Sequence, residues 1–115
     1  MTERHIQEPT RLVLTALADA PRHGYAIIQE VLAISGGLSR LSTGTLYTAL
    51  DRLLQQGLVR IEGEEVVSGR LRRTYALTDQ GRTLLAAEAD RLRTAAAEVD
   101  RRLGAARLRP NGATA

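Results

Sequence analysis

The chain has 115 residues, with 16 arginines against 13 acidic residues, no lysine and no cysteine, for a net charge of +3 at pH 7. That length allows one domain with a tail and a modest core. The absence of cysteine excludes disulfides, thiolate catalysis and a Cys-ligated zinc site, and it fits a reducing cytoplasm. Phe and Trp are absent and only three Tyr occur, so the core must be built from Leu, Val, Ile and Ala. A small aliphatic core of this kind gains burial by dimerising. No stretch approaches the roughly 20 apolar residues of a membrane span, and the opening MTERHIQEPT has no apolar run. Neither a membrane partner nor a signal peptide is expected.

In chain order, Glu8-Pro9 marks a helix start, with Pro at the first helical position. Leu12, Val13, Ala16, Leu17 and Ala20 form an apolar stripe at helical spacing, and Pro21 is expected to end it. A second helix begins near His23-Gly24-Tyr25, with Tyr25, Ile28, Val31 and Leu32 on its buried face and Ile27 and Ile34 alongside, and Gly36-Gly37 terminates it. Leu38 to Leu41 reads as a stub of strand. Ser42 is a good N-cap for a third helix lined inside by Leu46, Leu50, Leu53 and Leu54, and Gly57 is its C-cap. Alternation in LVRIEGEEVVSGRLRRTYAL predicts a two-stranded hairpin whose turn contains Gly63, Ser68 and Gly69. From Thr78 to about Arg107 the pattern is helical again. Leu85, Ala89, Leu92, Ala96, Val99, Leu103 and Ala106 alternate spacings of four and three, a heptad seam.

Helix, helix, stub, helix, hairpin and long helix is the plan of a mainly α (α+β) winged helix-turn-helix. It has a two-stranded wing and a long C-terminal dimerisation helix. The expected division is a DNA-binding domain over 8–77, a dimerisation helix over 78–107, and flexible ends at 1–7 and 108–115. In this plan the third helix enters the major groove and the wing lies along the backbone or minor groove.

The start of the third helix carries the functional signal. Ser42, Thr43, Gly44 and Thr45 are poor helix formers, yet they are small and three carry hydroxyls. A helix N-terminus attracts phosphate, and close approach needs small side chains there. An ordinary N-cap would account for Ser42 only, and Ser42, Thr43, Gly44 and Thr45 are all expected to lie against DNA. Tyr47 lies off the leucine stripe, at the surface or its edge, where it could bond a phosphate or stack on a sugar. Thr48, Asp51, Arg52 and Gln55 continue the outward face; Asp51 and Arg52 read equally as a solvated pair. Arg70, Arg72 and Arg73 lie within four residues at the hairpin turn, while Glu62, Glu64 and Glu65 lie on its first strand. The charge is thus segregated along the sequence, and the wing is expected to be basic at its tip. Double-stranded DNA is the partner these residues suit.

HGYAI (His23 to Ile27), STGTLYTALDRLLQQGLV (Ser42 to Val59) and SGRLRRTYALTDQGR (Ser68 to Arg82) resemble the PadR-like transcriptional regulators, in order and over roughly Leu12 to Leu92. The single C-terminal helix resembles the small subfamily. The resemblance implies a homodimeric winged-helix repressor on an inverted-repeat operator. Its long helix meets the partner's N-terminal helix, which places Leu12 in the interface beside Leu85, Ala89, Leu92, Ala96, Val99 and Leu103. It also implies DNA contacts by Thr45, Tyr47, Arg70 and Arg72, and release by a small-molecule effector at the dimer interface, as in many members. His23, Gly24 and Tyr25 read as structural: a cap, a close approach and a core-edge ring. The proline that usually follows GTLY is Thr48 here. With no Trp or Phe, an aromatic sandwich for a planar drug is not expected, and an effector pocket would be aliphatic.

Catalysis finds no support. His5 and His23 are far apart, and there is no nucleophile elbow, P-loop or metal-spaced cluster. No metal or other cofactor is implied. The rival to DNA binding is a winged helix used as a protein-interaction adaptor, which should show an apolar outer face on the third helix and no basic wing.

Overall fold

The computed structural model describes residues 6–107. Helix α1 (Glu8–Ala16) carries Glu8 and Pro9 in its first turn. There a missing N–H leaves no bond unmade, and a carboxylate meets the positive helix end. The Gln7 carbonyl already accepts from the Arg11 N–H at 3.0 Å, so the expected loose N-terminal end does not include Gln7. Residues 1–5 and 108–115, the rest of the two expected flexible ends apart from Ile6, lie outside the described residues. The helix stops at Ala16 rather than at Pro21. Leu17 and Ala18 donate to the Leu14 and Thr15 carbonyls at 3.1 Å, a tightened turn that drops Leu17 into the core. The Arg22 Nε takes the Ala16 carbonyl at 2.8 Å.

Strand β1 (Arg22–His23) was not expected, and helix α2 (Gly24–Ile34) follows it directly. His23 caps α2, its Nδ1 accepting from the Ala26 N–H at 3.4 Å. The buried face of α2 is Gly24, Ile27 and Val31. Tyr25, placed on that face by its spacing, is instead 65% exposed, because the helix is rotated to bury Ile27. The stub of strand expected at Leu38 to Leu41 is absent. That segment is irregular, held by Leu38 N–H to the Ser35 carbonyl and Ser39 N–H to Ser35 Oγ.

Helix α3 (Thr43–Gln55) buries Leu46, Ala49, Leu50 and Leu53. Strands β2 (Val59–Val67) and β3 (Arg70–Leu77) form the hairpin, and β1 pairs with the other edge of β3, giving the antiparallel order β1-β3-β2. The turn is only Ser68-Gly69, with φ of 52° and 78°; two positive φ values make it the type I′ connection that matches strand twist. Gly63, expected in the turn, lies within β2 just past a bulge between Ile61 and Gly63.

Helix α4 runs Asp79–Arg107, and its first turn is fastened to the hairpin's base. Thr78 Oγ1 donates to the Gly57 carbonyl at 2.7 Å and accepts from the Gly81 N–H at 3.0 Å. Arg82 reaches the Ala18 carbonyl at 3.1 Å. These ties explain why the first compact unit runs to Leu85, beyond the boundary expected after Leu77. Its core is Leu12, Val13, Leu14, Ala16, Leu17, Ile27, Val31, Leu46, Leu50, Leu53, Leu58, Val59, Tyr75 and Leu77, aliphatic but for one tyrosine.

The second unit, from Ala86, is the rest of α4. Along it Glu88 pairs with Arg91, Asp90 with Arg93, and Glu98 with Arg101 and Arg102, acid before base as a helix prefers. Leu92, Val99 and Leu103 are exposed. Leu12 is not available to such a seam: it is 5% exposed and packs in the first unit's own core. Among the described residues no helix is long and apolar enough to cross a membrane, and no group of acidic or His side chains is placed to hold a metal ion.

Candidate nucleic-acid interface

The start of α3 divides into capping and free residues. Ser42 Oγ accepts from the Thr45 N–H at 3.1 Å and donates to Thr45 Oγ1 at 3.0 Å. Both hydroxyls therefore serve the cap first. Thr43 and Gly44 are exposed, and a side chain on Gly44 would meet nothing of the protein within 4 Å. The space beside this glycine is open to an incoming molecule.

Beyond the cap, helical spacing sets three exposed rows opposite the leucines. Gly44, Thr48, Asp51 and Gln55 run down the middle. Thr45 and Arg52 flank one side, where they join Ser42, Gly44, Thr48, Ala49 and the start of α1 (Gln7, Pro9, Thr10) in an open cleft of about 690 Å³. Arg52 makes no ion pair among the described residues. Tyr47 flanks the other side, facing the hairpin across a hollow of about 190 Å³ lined by Leu71, Arg73 and Tyr75.

Tyr47 is 41% exposed, and its hydroxyl end lies over Gly24 at the start of α2. A Cβ on Gly24 would be 2.3 Å from the Tyr47 hydroxyl. The glycine of HGY is thus a close approach, as expected, whereas Tyr25 is not a core-edge ring. Tyr75 is buried beneath this patch. Burial pushes its phenol above the usual tyrosine value, and the Arg73 guanidinium opposes that in part.

The hairpin departs most from expectation. Charges that are segregated in sequence face one another in the fold. Glu64 stands opposite Arg73 and Glu65 opposite Arg72, with Arg73 Nε–Glu64 and Arg72 Nη2–Glu65 contacts both at 2.9 Å. Arg60 meets Glu62 at 3.2 Å. Glu64 also holds the Arg73 guanidinium charged above its ordinary range. Of the three expected tip cations Arg70 alone lacks an acid among the described residues, since it stands opposite Val67. The roles of Glu64 and Glu65 were missed by sequence reasoning, although a two-residue turn would have set their register.

The sequence profile of the family described as Transcriptional regulator PadR-like family matches residues 13–87. The chain is 39% identical over 87 residues to the transcriptional regulator Rv3488 of Mycobacterium tuberculosis, covering 76% of this chain and 78% of that protein. It is 50% identical over 78 residues to an uncharacterized 37.1 kDa protein in transposon TN4556 of Streptomyces fradiae. That match covers 68% of this chain but 21% of the relative, so the chain spans about a fifth of that protein's length. Among solved structures, the fold is similar to that of Bacillus subtilis PadR in complex with operator DNA. The TM-score is 0.64 at 19% identity, over 72% of this chain and 48% of that one. At that identity the likeness speaks for the fold alone.

Proposed function

Because the chain belongs to the PadR-like family of transcriptional regulators, we propose that it binds double-stranded DNA as a homodimer, with α3 in the major groove and the β2–β3 wing against the backbone or minor groove. One observation carries the reading. The outward face of α3 is polar, with Gly44, Thr48, Asp51 and Gln55 down its middle, open at Gly44 and flanked by an Arg52 without an ion pair among the described residues. An adaptor would show an apolar surface there. The operator complex of Bacillus subtilis PadR supports the same use of this fold.

Within this reading Thr43, Gly44, Thr48 and Arg52 make the groove contacts, and Arg70 is the wing's free phosphate ligand. Tyr47 contributes its exposed ring edge. Ser42 and Thr45 hold the helix start in place, with their backbone N–H groups near the phosphate. The dimer forms through the exposed seam of α4, with Leu92, Val99 and Leu103 as apolar contacts and Ala89 and Ala96 permitting close approach. Two-fold symmetry then calls for an inverted-repeat operator. Repression follows where that operator overlaps a promoter, and a small-molecule effector would act from an aliphatic pocket at the dimer interface.

The test is fluorescence anisotropy of the purified protein on the duplex upstream of its own gene and on a scrambled duplex, at two salt concentrations, followed by selection from a random DNA library. Tight binding to the upstream duplex, or an enriched palindrome from the library, is expected. Equal, salt-sensitive binding to every duplex with no enriched site would sink the reading in favour of a protein-binding winged helix.

A further inference from the structure

Arg72 and Arg73 of the wing are already paired with acids. The Ser68-Gly69 turn fixes Val67 opposite Arg70, and from there the ladder sets Glu65 against Arg72 and Glu64 against Arg73. Successive residues alternate faces, so one pair stands on each face of the hairpin. The four side chains are between 41% and 57% exposed, so water and polyanions reach both pairs. Pairs this exposed contribute little to stability and exchange easily. Arg72 meets Glu65 through Nη2, while its Nε is buried and has no hydrogen-bond partner among the described residues, so the exchange with phosphate runs through the exposed Nη2 end. A carboxylate offers a guanidinium the same forked geometry as a phosphate.

We propose that Glu64 and Glu65 are built-in competitors for phosphate: Arg73 and Arg72 reach a nucleic-acid backbone only by exchanging a carboxylate for it, which lowers the sequence-independent affinity of the wing. This rests on the DNA-binding reading above. Phosphate neutralisation supplies most of a protein's non-specific attraction to DNA. A displaced glutamate also stays close to the arriving phosphate and repels it. Arg70, across from Val67, escapes this competition and engages first.

The experiment uses the full chain with Glu64→Gln, Glu65→Gln and both together. Asp19→Asn is the control: it makes the same charge change at a residue paired with Arg22, outside the wing. Circular dichroism verifies the fold. Two quantities are read: the salt concentration that elutes each protein from heparin, and affinity for a random-sequence duplex across a salt series. Each wing variant is expected to elute later and to bind the random duplex about three- to tenfold more tightly, with the salt slope steeper by about 0.9 per phosphate gained. Asp19→Asn should move far less, and the gain from Glu64→Gln should vanish when Arg73→Ala is added. Wing variants that match Asp19→Asn, or that bind polyanions more weakly than wild type, overturn the proposal. Failure of the wild type to select any operator would instead sink the DNA reading, while the heparin comparison still decides whether the glutamates compete for the wing's cations.

Discussion

A methyl group on Gly24 would lie 2.3 Å from the Tyr47 hydroxyl and 2.9 Å from its ring carbon Cζ. This glycine therefore answers to a side chain on α3, the next element along the chain. Gly24→Ala should lower stability by about 1–3 kcal/mol through overpacking, read as a fall in the urea midpoint. In a Tyr47→Ala background the same change should cost much less, since the clash has gone; equal costs in both backgrounds would refute the contact. Tyr75 gives a second prediction. Its phenol is pushed above the ordinary tyrosine value by burial, so folding favours the protonated ring. That contribution is complete below the unfolded-state value and is lost as pH rises through the higher folded value. The urea midpoint should therefore fall as pH rises from the ordinary tyrosine value of about 10 through the higher folded value, and Tyr75→Phe should flatten that fall. At this scale sequence reasoning did well where chemistry is local: the Ser42 cap and the close approach at Gly24. It failed at Tyr25 because the rotation of α2 is set by what Ile27 meets in the core, and a helical stripe read alone leaves that angle loose.

Between elements, the fastener at Thr78 and Gly81 is the tightest joint. A Cβ on Gly81 would stand 2.1 Å from the Leu58 carbonyl oxygen, and backbone cannot yield as a side-chain tip can. Gly81→Ala should destabilise by about 1–3 kcal/mol or more, measured by chemical unfolding. An unchanged midpoint would mean that the first turn of α4 is not held against the loop after α3. The helices and the hairpin were legible because their periods and caps are strong. Strand β1 was not: two polar residues after Pro21 carry no alternation, and the strand exists only because β3 offers a free edge. The hairpin's pairing could have been read, because Ser68-Gly69 suits a two-residue turn and that turn fixes every partner above it. A turn spread from Gly63 to Gly69 hid the glutamates' partners and made the wing look more basic than it is.

For the whole molecule, the exposed apolar residues of α4 are the feature that a single chain leaves unexplained. Leu92→Arg should convert the proposed dimer to a monomer in sedimentation and abolish the proposed operator binding, while the first unit keeps its fold by circular dichroism. A Leu92→Arg protein that sediments as a dimer would sink the seam. The heptad spacing is legible in the sequence, and along it Leu92, Val99 and Leu103 are exposed. Leu12 was misassigned to it because a resemblance conveys which helix meets a partner but not which of its faces is already used; here that face lies in the protein's own core. The unit boundary was placed early for a related reason: the helical pattern begins at Thr78, but Arg82 still anchors to Ala18.

The bulge at Glu62 separates two inherited properties of the hairpin. One extra residue bends and twists the strand pair at its base, while the two-residue turn at the far end fixes which charges face each other. A lineage could delete a single codon at the base and re-aim the wing with its charge pattern intact, or exchange a glutamate near the tip and alter its pull on nucleic acid without moving it. Direction and attraction are thus open to selection one at a time.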